Sequence, residues 1–356
     1  MILQRYIAIN LIKGWLLVLL VLAAIFGLLS FISELERTRF GYDALAVARY
    51  TLRTLPAELV DLAPVIALLG SIIALANLDR YNELTIISCT GFSRSKLLAA
   101  IALPTVIFMG FLWICMEYIT PPLKQSAEAE RYALRFRNEV RIPDGGVWSK
   151  SGNRYIHLGK MFENGVPGDI NLFEFDDSGR LTRALHAKTA DVSQDRTWLF
   201  KRVREKRLVR DKLVTRHYPE LEITNLWSPA ELPTLTLDST SMRLSVLGNY
   251  SQYRAETGQP NERYRSTFWQ KVLMPLTVGA MVLLATPISA SLGAKRNKSF
   301  GIDIAIGALV GILFYLGTQI IFALGQLMHL NILLVALTPT LLILACASLL
   351  LRRMHW

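Results

Sequence analysis

Cysteine is scarce in this sequence, and the short motifs of nucleotide, metal and acyl chemistry are missing. The three cysteines, Cys89, Cys115 and Cys346, lie beside or within apolar runs and form neither a disulfide framework nor a zinc spacing. No Walker A pattern GxxxxGK(S/T) occurs, and HExxH, CxxC and GxSxG are also absent. The sequence therefore predicts a non-catalytic protein whose polar middle region is held together by a hydrophobic core.

Metal and proton chemistry also lack support in the residue pattern. His157, His186 and His217 fall on separate predicted strands, which argues against a shared metal site. Ionisable side chains are few within the apolar runs, which argues against a proton relay through a membrane. If the protein performs work, another chain or an ion gradient is expected to supply the energy.

The composition suits neither an ordinary soluble protein nor one made only of membrane spans. Of the 356 residues, 52% are hydrophobic, and the mean hydropathy is +0.34. These values predict a mixed membrane and aqueous architecture. The net charge of +11 does not indicate nucleic acid, because the cations gather at the ends of apolar runs.

Six apolar runs are each long enough to cross a bilayer, which takes about 20 residues of helix. Lysine and arginine collect at alternate ends of these runs, and the positive-inside bias then places both termini in the cytoplasm. The first run is expected to be a retained span, since it exceeds a signal sequence in length and lacks a cleavage box. The predicted spans are residues 15–32, 59–78, 97–119, 272–292, 302–327 and 332–351.

Between the third and fourth runs, from about residue 145 to 238, hydrophobic residues recur at a period of two. Phe173 and Phe175 alternate in this way, as do Trp198 and Phe200. Several short strands at close spacing predict an all-β sandwich, jelly roll or barrel on the outer side of the membrane. The chain thus divides into helices 1–3 (1–120), a β domain with flanking helices (121–268) and helices 4–6 (269–356).

A dense group of cations falls on one predicted pair of strands in this middle region. Two interpretations stay open, a solvated hairpin and a binding face. The cations are Arg202, Arg204, Lys206, Arg207, Arg210 and Lys212.

The stretch 79–98, between the second and third runs, is too polar for hydrocarbon, and its cations place it in the cytoplasm. Its apolar side chains, Leu84, Ile86, Ile87 and Phe92, exceed what a simple turn needs. A docking element for another protein and a connecting helix lying on the headgroups are the two interpretations.

Two features of the fifth run concern helix packing. Gly307 and Gly311 form a GxxxG pair, which predicts close contact with another helix and a place for them in helix packing or a lateral gate. Gln319 is the strongly polar residue deep in this run, and a hydrogen bond to a neighbouring helix is its simplest explanation.

Taken in order, several segments resemble the LptF/LptG family of lipopolysaccharide export permeases. The resemblance covers essentially the whole chain and implies six helices in a 3+3 order around a periplasmic domain like a β-jelly roll. The similar segments are residues 5–7, 41–43, 80–94 (RYNELTIISCTGFSR), 117–121 (EYITP), 148–153 (WSKSGN) and 248–250 (GNY).

The resemblance implies roles for particular residues. In this family the segment containing Glu83 is a coupling helix that docks in a groove of the ATPase LptB. Cations at the outer mouth of the membrane cavity bind the phosphates of lipopolysaccharide. The sequence departs from the family at Ser30, Glu36 and Glu128, near positions where relatives can be basic. The implied ATPase-coupling residues are Glu83, Leu84, Ile87, Phe92 and Arg94, and the implied lipopolysaccharide-binding residues are Arg37, Arg39, Arg131 and Arg135. Both arginine sets could equally lie at the membrane interface without contacting substrate.

The function expected from the resemblance is that of a permease subunit in an ABC transporter. The transporter extracts lipopolysaccharide from the bacterial inner membrane and passes it to a periplasmic bridge. Expected partners are an LptF-like permease subunit, an LptB dimer, LptC, LptA and lipopolysaccharide. No cofactor is expected in this chain, since ATP and Mg²⁺ belong to the ATPase. The alternatives are a permease of another envelope system, such as lipoprotein release, and a membrane-anchored scaffold without transport.

Overall fold

The fold is taken from a computed structural model of the chain. It describes residues 2–36, 38, 42–81, 83–90, 93–136, 139–140, 147–151, 153–162, 166–176, 178–192, 197–209, 212–224, 226, 239–256, 261–293, 300–328 and 330–353.

Helices form the two ends of the chain, and the predicted six spans are confirmed among the described residues. Each span arises from an apolar run whose backbone hydrogen bonds close within the helix, as a membrane interior requires. The helices are α1 (Ile2–Leu35), α2 (Ala44–Asp61), α3 (Ala63–Arg80), α4 (Glu83–Cys89), α5 (Arg94–Ile114), a π-helical turn (Cys115–Ile119), α6 (Thr120–Phe136), α7 (Leu244–Glu256), α8 (Glu262–Gly293), α9 (Phe300–Leu327) and α10 (Ile332–Arg353).

The second span begins later than the apolar run suggests. A break at Leu62 separates α2 from α3, and Pro64 lies in the first turn of α3, where its missing N–H costs little. The N–H of Leu62 still bonds to the carbonyl oxygen of Glu58, so the chain turns without losing that donor. Helix α2 is therefore a separate element, begun by the Asp43 carboxylate, which accepts a hydrogen bond from the N–H of Ala46.

The third membrane helix continues past residue 119, where the third span was predicted to end. Helix α5 passes through the π-helical turn into α6, and the widened turn accommodates the rings of Pro121 and Pro122. Glu117, within that turn, accepts hydrogen bonds from the N–H and hydroxyl of Ser245 at the start of α7. The membrane helix is thus attached directly to the far end of the β domain.

The β domain is one antiparallel sheet in which consecutive strands from β3 to β7 are neighbours. Because the strands follow one another by short connections, the sheet forms from local pairings. Strands β1 and β2 both pair along the free edge of β3. Within the described residues the strands are β1 (Glu139–Val140), β2 (Val147–Ser151), β3 (Arg154–Phe162), β4 (Pro167–Phe175), β5 (Leu181–Val192), β6 (Trp198–Val209) and β7 (Lys212–Ile223).

One face of this sheet is packed and the other is open. Leu172, Leu185, Trp198 and Phe200 point into a core that is completed by Leu247 of α7. Alternate side chains point the other way, since successive residues of a strand face opposite sides. The packed face therefore lies against α7, and the open face looks away from it.

The membrane helices pack around α3 and α8, which are the most buried of the described spans. Glycines at the α1–α3 crossing bring the two backbones together, because a Cβ built on Gly70 would lie 2.7 Å from the Cα of Trp15. Beside this point the indole N–H of Trp15 donates to the hydroxyl of Ser71 over 2.9 Å. The crossing fixes the N-terminal half of α1 against α3.

Candidate functional site

The segment predicted to dock another protein contains the short helix α4. Its Glu83 carboxylate accepts a hydrogen bond from the Tyr6 hydroxyl of α1 over 2.8 Å. Ile87 is buried, whereas Ile86 is 61% exposed and Tyr81 is also exposed. Helix α4 is therefore attached to the bundle on one side and presents apolar surface on the other.

The remaining predicted coupling residues are only partly covered by the described structure. Leu84 lies in α4 and Arg94 begins α5, but their side chains are outside the described residues, as is Phe92 altogether. The bond from Tyr6 had no sequence signal, because 77 residues separate the two partners.

At the opposite end of the helices, Arg131 of α6 is held in a compact polar cluster. Its Nε lies 2.9 Å from an oxygen of Glu34, a carboxylate at the end of α1 that is almost completely buried. One terminal nitrogen donates to the Tyr50 hydroxyl over 2.9 Å, and the guanidinium lies over the Tyr50 ring. Three helices, α1, α2 and α6, are joined at this point.

Two phenols beside this cluster stay protonated at neutral pH. Burial raises the pKa of Tyr42, and the neighbouring Glu34 carboxylate raises it further. Burial also raises the pKa of Tyr50, although the charge of Arg131 acts in the opposite direction. The Tyr50 hydroxyl is thus an uncharged acceptor for Arg131, and Glu34 supplies the negative charge.

A second pair of cations lies nearby on α2. Arg49 and Arg53 contact different oxygens of Glu130 on α6, at 2.9 and 2.5 Å. Both arginines are substantially exposed, so these contacts are weaker than the Glu34–Arg131 pair. They reinforce the attachment of α2 to α6.

Of the four predicted phosphate ligands, Arg131 is the one whose side chain the structure describes. Arg37 and Arg39 lie outside the described residues, and Arg135 falls one helical turn after Arg131 with its side chain undescribed. Glu34 and Tyr50 engage two nitrogens of Arg131, and a guanidinium carries five N–H donors in all. Arg131 therefore keeps donors that a phosphate could use.

A cavity of about 260 Å³ opens between α2, α3, α6, α8, α9 and α10. Phe314 and Gln319 of α9 line it, and Lys124 and Lys271 lie at its polar end. Lys124 donates to the Thr240 hydroxyl over 2.8 Å, and Lys271 donates to the Thr240 and Met242 carbonyl oxygens. Asp61 of α2 also lines the cavity and interacts with both lysines. An apolar space that ends in paired charges suits an acyl chain joined to a polar group.

The glycine pair of α9 packs inside the chain. A Cβ on Gly307 would lie 2.7 Å from Ile72 of α3, and one on Gly311 would lie 3.1 Å from Val65. The predicted close helix contact is thus made with α3. Gln319, predicted to bond to a neighbouring helix, lines the cavity and has no hydrogen bond to any described residue.

Large apolar side chains cover the outer faces of two spans. In a membrane these faces meet lipid or another membrane protein. The exposed residues include Leu16, Leu17, Leu20, Leu28 and Leu29 of α1 and Leu309, Ile312, Leu313, Leu316 and Ile320 of α9.

No cluster of metal-ligating side chains occurs in the part of the chain that the structure describes.

The family model described as lipopolysaccharide export system permease LptF/LptG matches residues 5–353. The chain is 31% identical over 325 residues to the lipopolysaccharide export system permease protein LptG of Haemophilus influenzae, covering 90% of this chain and 89% of that protein. It is 26% identical to LptG of Escherichia coli strain K12, with the same shares covered.

Proposed function

The chain belongs to the LptF/LptG family of lipopolysaccharide export permeases, and from that membership we propose how its parts perform export. It is a multi-pass inner-membrane protein that acts as a permease subunit of lipopolysaccharide export. The match over nearly the whole chain carries this conclusion. The coupling, substrate and partner assignments below are the proposal.

Energy reaches the membrane helices through α4, which docks a soluble ATPase of the LptB type. Ile87 and the Tyr6–Glu83 hydrogen bond attach α4 to the bundle, and Ile86 remains available to a partner. ATP and Mg²⁺ are bound by that partner, so this chain requires no cofactor. Movement of the ATPase dimer then displaces α3 and α5, the two spans that α4 connects.

Two changes in α4 test the docking role. Ile86→Asp is expected to lower LptB affinity by more than about tenfold, because burying an aliphatic side chain contributes about 1.5–3 kcal/mol. Glu83→Arg is expected to have a smaller effect, since an exposed ion pair contributes about 0–1 kcal/mol. Copurification of LptB in detergent measures both, with Arg352→Glu as the exposed control. Full LptB retention by Ile86→Asp would remove α4 from the interface.

Lipopolysaccharide enters a cavity shared with an LptF-like subunit, which covers part of the exposed faces of α1 and α9. Arg37, Arg39, Arg131 and Arg135 bind its phosphates at the outer end of the helices. The described contacts of Arg131 support this role, because Glu34 and Tyr50 orient the guanidinium and leave donors free. Gly307, Gly311 and Gln319 lie on α9, the helix that forms one side of the lateral gate through which the lipid enters this cavity.

The β domain receives the lipid on the periplasmic side and joins LptC and LptA in a bridge. Helix α6 enters this domain, and Glu117 fastens its exit at Ser245. In this orientation α4 and both termini are cytoplasmic.

Cys89 provides a test of the orientation. This thiol is exposed at the end of α4, whereas Cys115 is buried. A membrane-impermeant maleimide is expected to label Cys89 in inverted membrane vesicles and to leave it unlabelled in intact spheroplasts. A Cys89→Ser variant is the control for labelling of Cys346. Equal labelling of Cys89 from both sides, or from outside alone, would reverse the assignment.

A further inference from the structure

A transverse crease crosses the open face of the β sheet. Gly159, Asp169, Lys188, Arg202 and Pro219 lie opposite one another on β3 to β7, between registered pairs on either side. Asp169 and Arg202 have φ angles of 50° and 56°, in the left-handed region that non-glycine residues seldom adopt. Such conformations persist where the surrounding structure enforces them, often at functional sites.

The crease shifts the alternation of inward- and outward-facing side chains along each strand by one residue. On β6, Trp198 and Phe200 are buried before it, and Val203 and Glu205 are buried after it. Without the shift, the buried residues on one side of the crease would point out of the core. On β5, buried Ala187 and Ala190 show the same change of phase. The distortion is therefore common to adjacent strands, and the sheet bends along this line.

The bend creates a groove of about 660 Å³ on the open face. His186, Arg204 and His217 form a row of cross-strand neighbours along it. Lys188 and Arg202 of the crease line its other side. Directly opposed residues on neighbouring strands lie about 4.5–5.5 Å apart, so these cationic and titratable groups face one shared space.

The groove cations are not neutralised as the other cations of the sheet are. Arg183 pairs with Glu205 at 2.6 Å, and Arg154 pairs with Glu174 at 2.8 Å. Among the described residues, Lys188, Arg202 and Arg204 form no ion pair with a carboxylate. One acid on this face, Asp169, lies 3.7 Å from His186. Positive charge is therefore left available in the groove.

We propose that this groove binds the phosphorylated saccharide part of lipopolysaccharide after the lipid leaves the membrane helices. The inference rests on the proposed export function, which supplies a cargo that carries phosphates on sugars. Arginine binds phosphate through paired N–H donors, and lysine adds a point charge. The face lies opposite the one packed on α7, so a soluble saccharide reaches it. This choice favours the binding face over the solvated hairpin for Arg202 and Arg204.

The test measures binding of a defined saccharide to the full-length protein in detergent. The probe is a fluorescent, de-acylated and phosphorylated core oligosaccharide, compared with the same probe after enzymatic removal of its phosphates. The groove variant combines Lys188→Gln, Arg202→Gly and Arg204→Gln. Glycine at residue 202 removes the charge and suits the left-handed backbone, so folding is preserved. The control variant removes three exposed charges outside the groove by Lys160→Gln, Arg180→Gln and Arg265→Gln.

The groove variant is expected to raise the Kd of the phosphorylated probe by at least about tenfold, a change equal to about 1.4 kcal/mol. Removal of the phosphates should weaken wild-type binding to a similar extent, and the control variant should bind as wild type does. Equal affinity of wild type and groove variant, or no preference for the phosphorylated probe, would overturn the proposal. Groove-dependent binding to anionic phospholipid vesicles with no oligosaccharide binding would also overturn it, in favour of a membrane contact. LptB copurification from the same samples separates the groove proposal from the proposed export function. Retained LptB without saccharide binding would refute only the groove.

Discussion

Replacing Gly14 by valine is expected to prevent assembly of the membrane helices. A Cβ at residue 14 would overlap the Gly70 carbonyl oxygen, and neither backbone can rotate away. Overpacking a filled core costs about 1–3 kcal/mol even where side chains adjust. Separation of α1 from α3 would also break the Trp15–Ser71 hydrogen bond. Size-exclusion chromatography after detergent extraction is expected to show most of the variant lost from the monodisperse peak.

Gly110→Val is the matched control for this change. The position lies in α5, and a Cβ there meets no atom within 4 Å. The same side chain is therefore added to a membrane helix without a steric clash, and a yield close to wild type is expected. If Gly14→Val and Gly110→Val behave alike, the close crossing of α1 and α3 is wrong.

Replacing Glu34 by glutamine is expected to destabilise the end of the bundle where α1, α2 and α6 meet. Arg131 would keep its charge while its side chain is only 17% exposed and its carboxylate partner is gone. Removing one member of a buried pair typically costs about 3–5 kcal/mol. Thermal unfolding of the detergent-solubilised protein, followed by intrinsic fluorescence, should show a clear fall in Tm.

Two further variants separate structure from substrate binding at this pair. Arg49→Gln removes an exposed partner of Glu130 and is expected to cost at most about 1 kcal/mol. The exchange Glu34→Arg with Arg131→Glu should recover much of the stability, since the pair is restored in reverse. It should still lower photo-crosslinking to lipopolysaccharide, because the cation has moved from α6 to α1. Unchanged Tm in Glu34→Gln would show that the pair contributes nothing to stability.

The architecture could be predicted because its causes are local in the sequence. A helix needs only a long apolar run to become a span, so the six spans were found and confirmed. The β domain was recognisable from its period of two, as at Phe173 and Phe175. The family resemblance supplied the 3+3 order and the function, which the comparisons confirm.

The errors occurred where short-range rules compete with tertiary packing. The third span was predicted to end at residue 119, yet the helix continues through the π-helical turn and past Pro121 and Pro122. Pro64 lies within the second span as predicted, but the span begins at Ala63 and not at residue 59, because α2 ends at Asp61. A proline in the sequence indicates where a helix is perturbed. Tertiary packing then determines whether the helix breaks there or continues through a π-helical turn.

Pairings between distant residues left no trace in the sequence. The close contact of Gly14 with Gly70 was not predicted, because Gly14 lies beside Lys13, before the apolar run begins. The Glu34–Arg131 pair joins residues almost a hundred positions apart. The strand pattern likewise could not tell which cations share the groove, because that depends on the crease at Arg202.

Helix α5, the π-helical turn and α6 follow one another without a break, so this part of the chain is one long helix. It extends from Arg94 to Phe136 and is about 65 Å long at 1.5 Å per residue. A tilt of about 5° at the Arg94 end would therefore move the Phe136 end by about 6 Å. Gln125 on this helix also donates a hydrogen bond to the carbonyl oxygen of Ser241, where the chain leaves the β domain. A movement of this helix would therefore shift the start and the end of the β domain together.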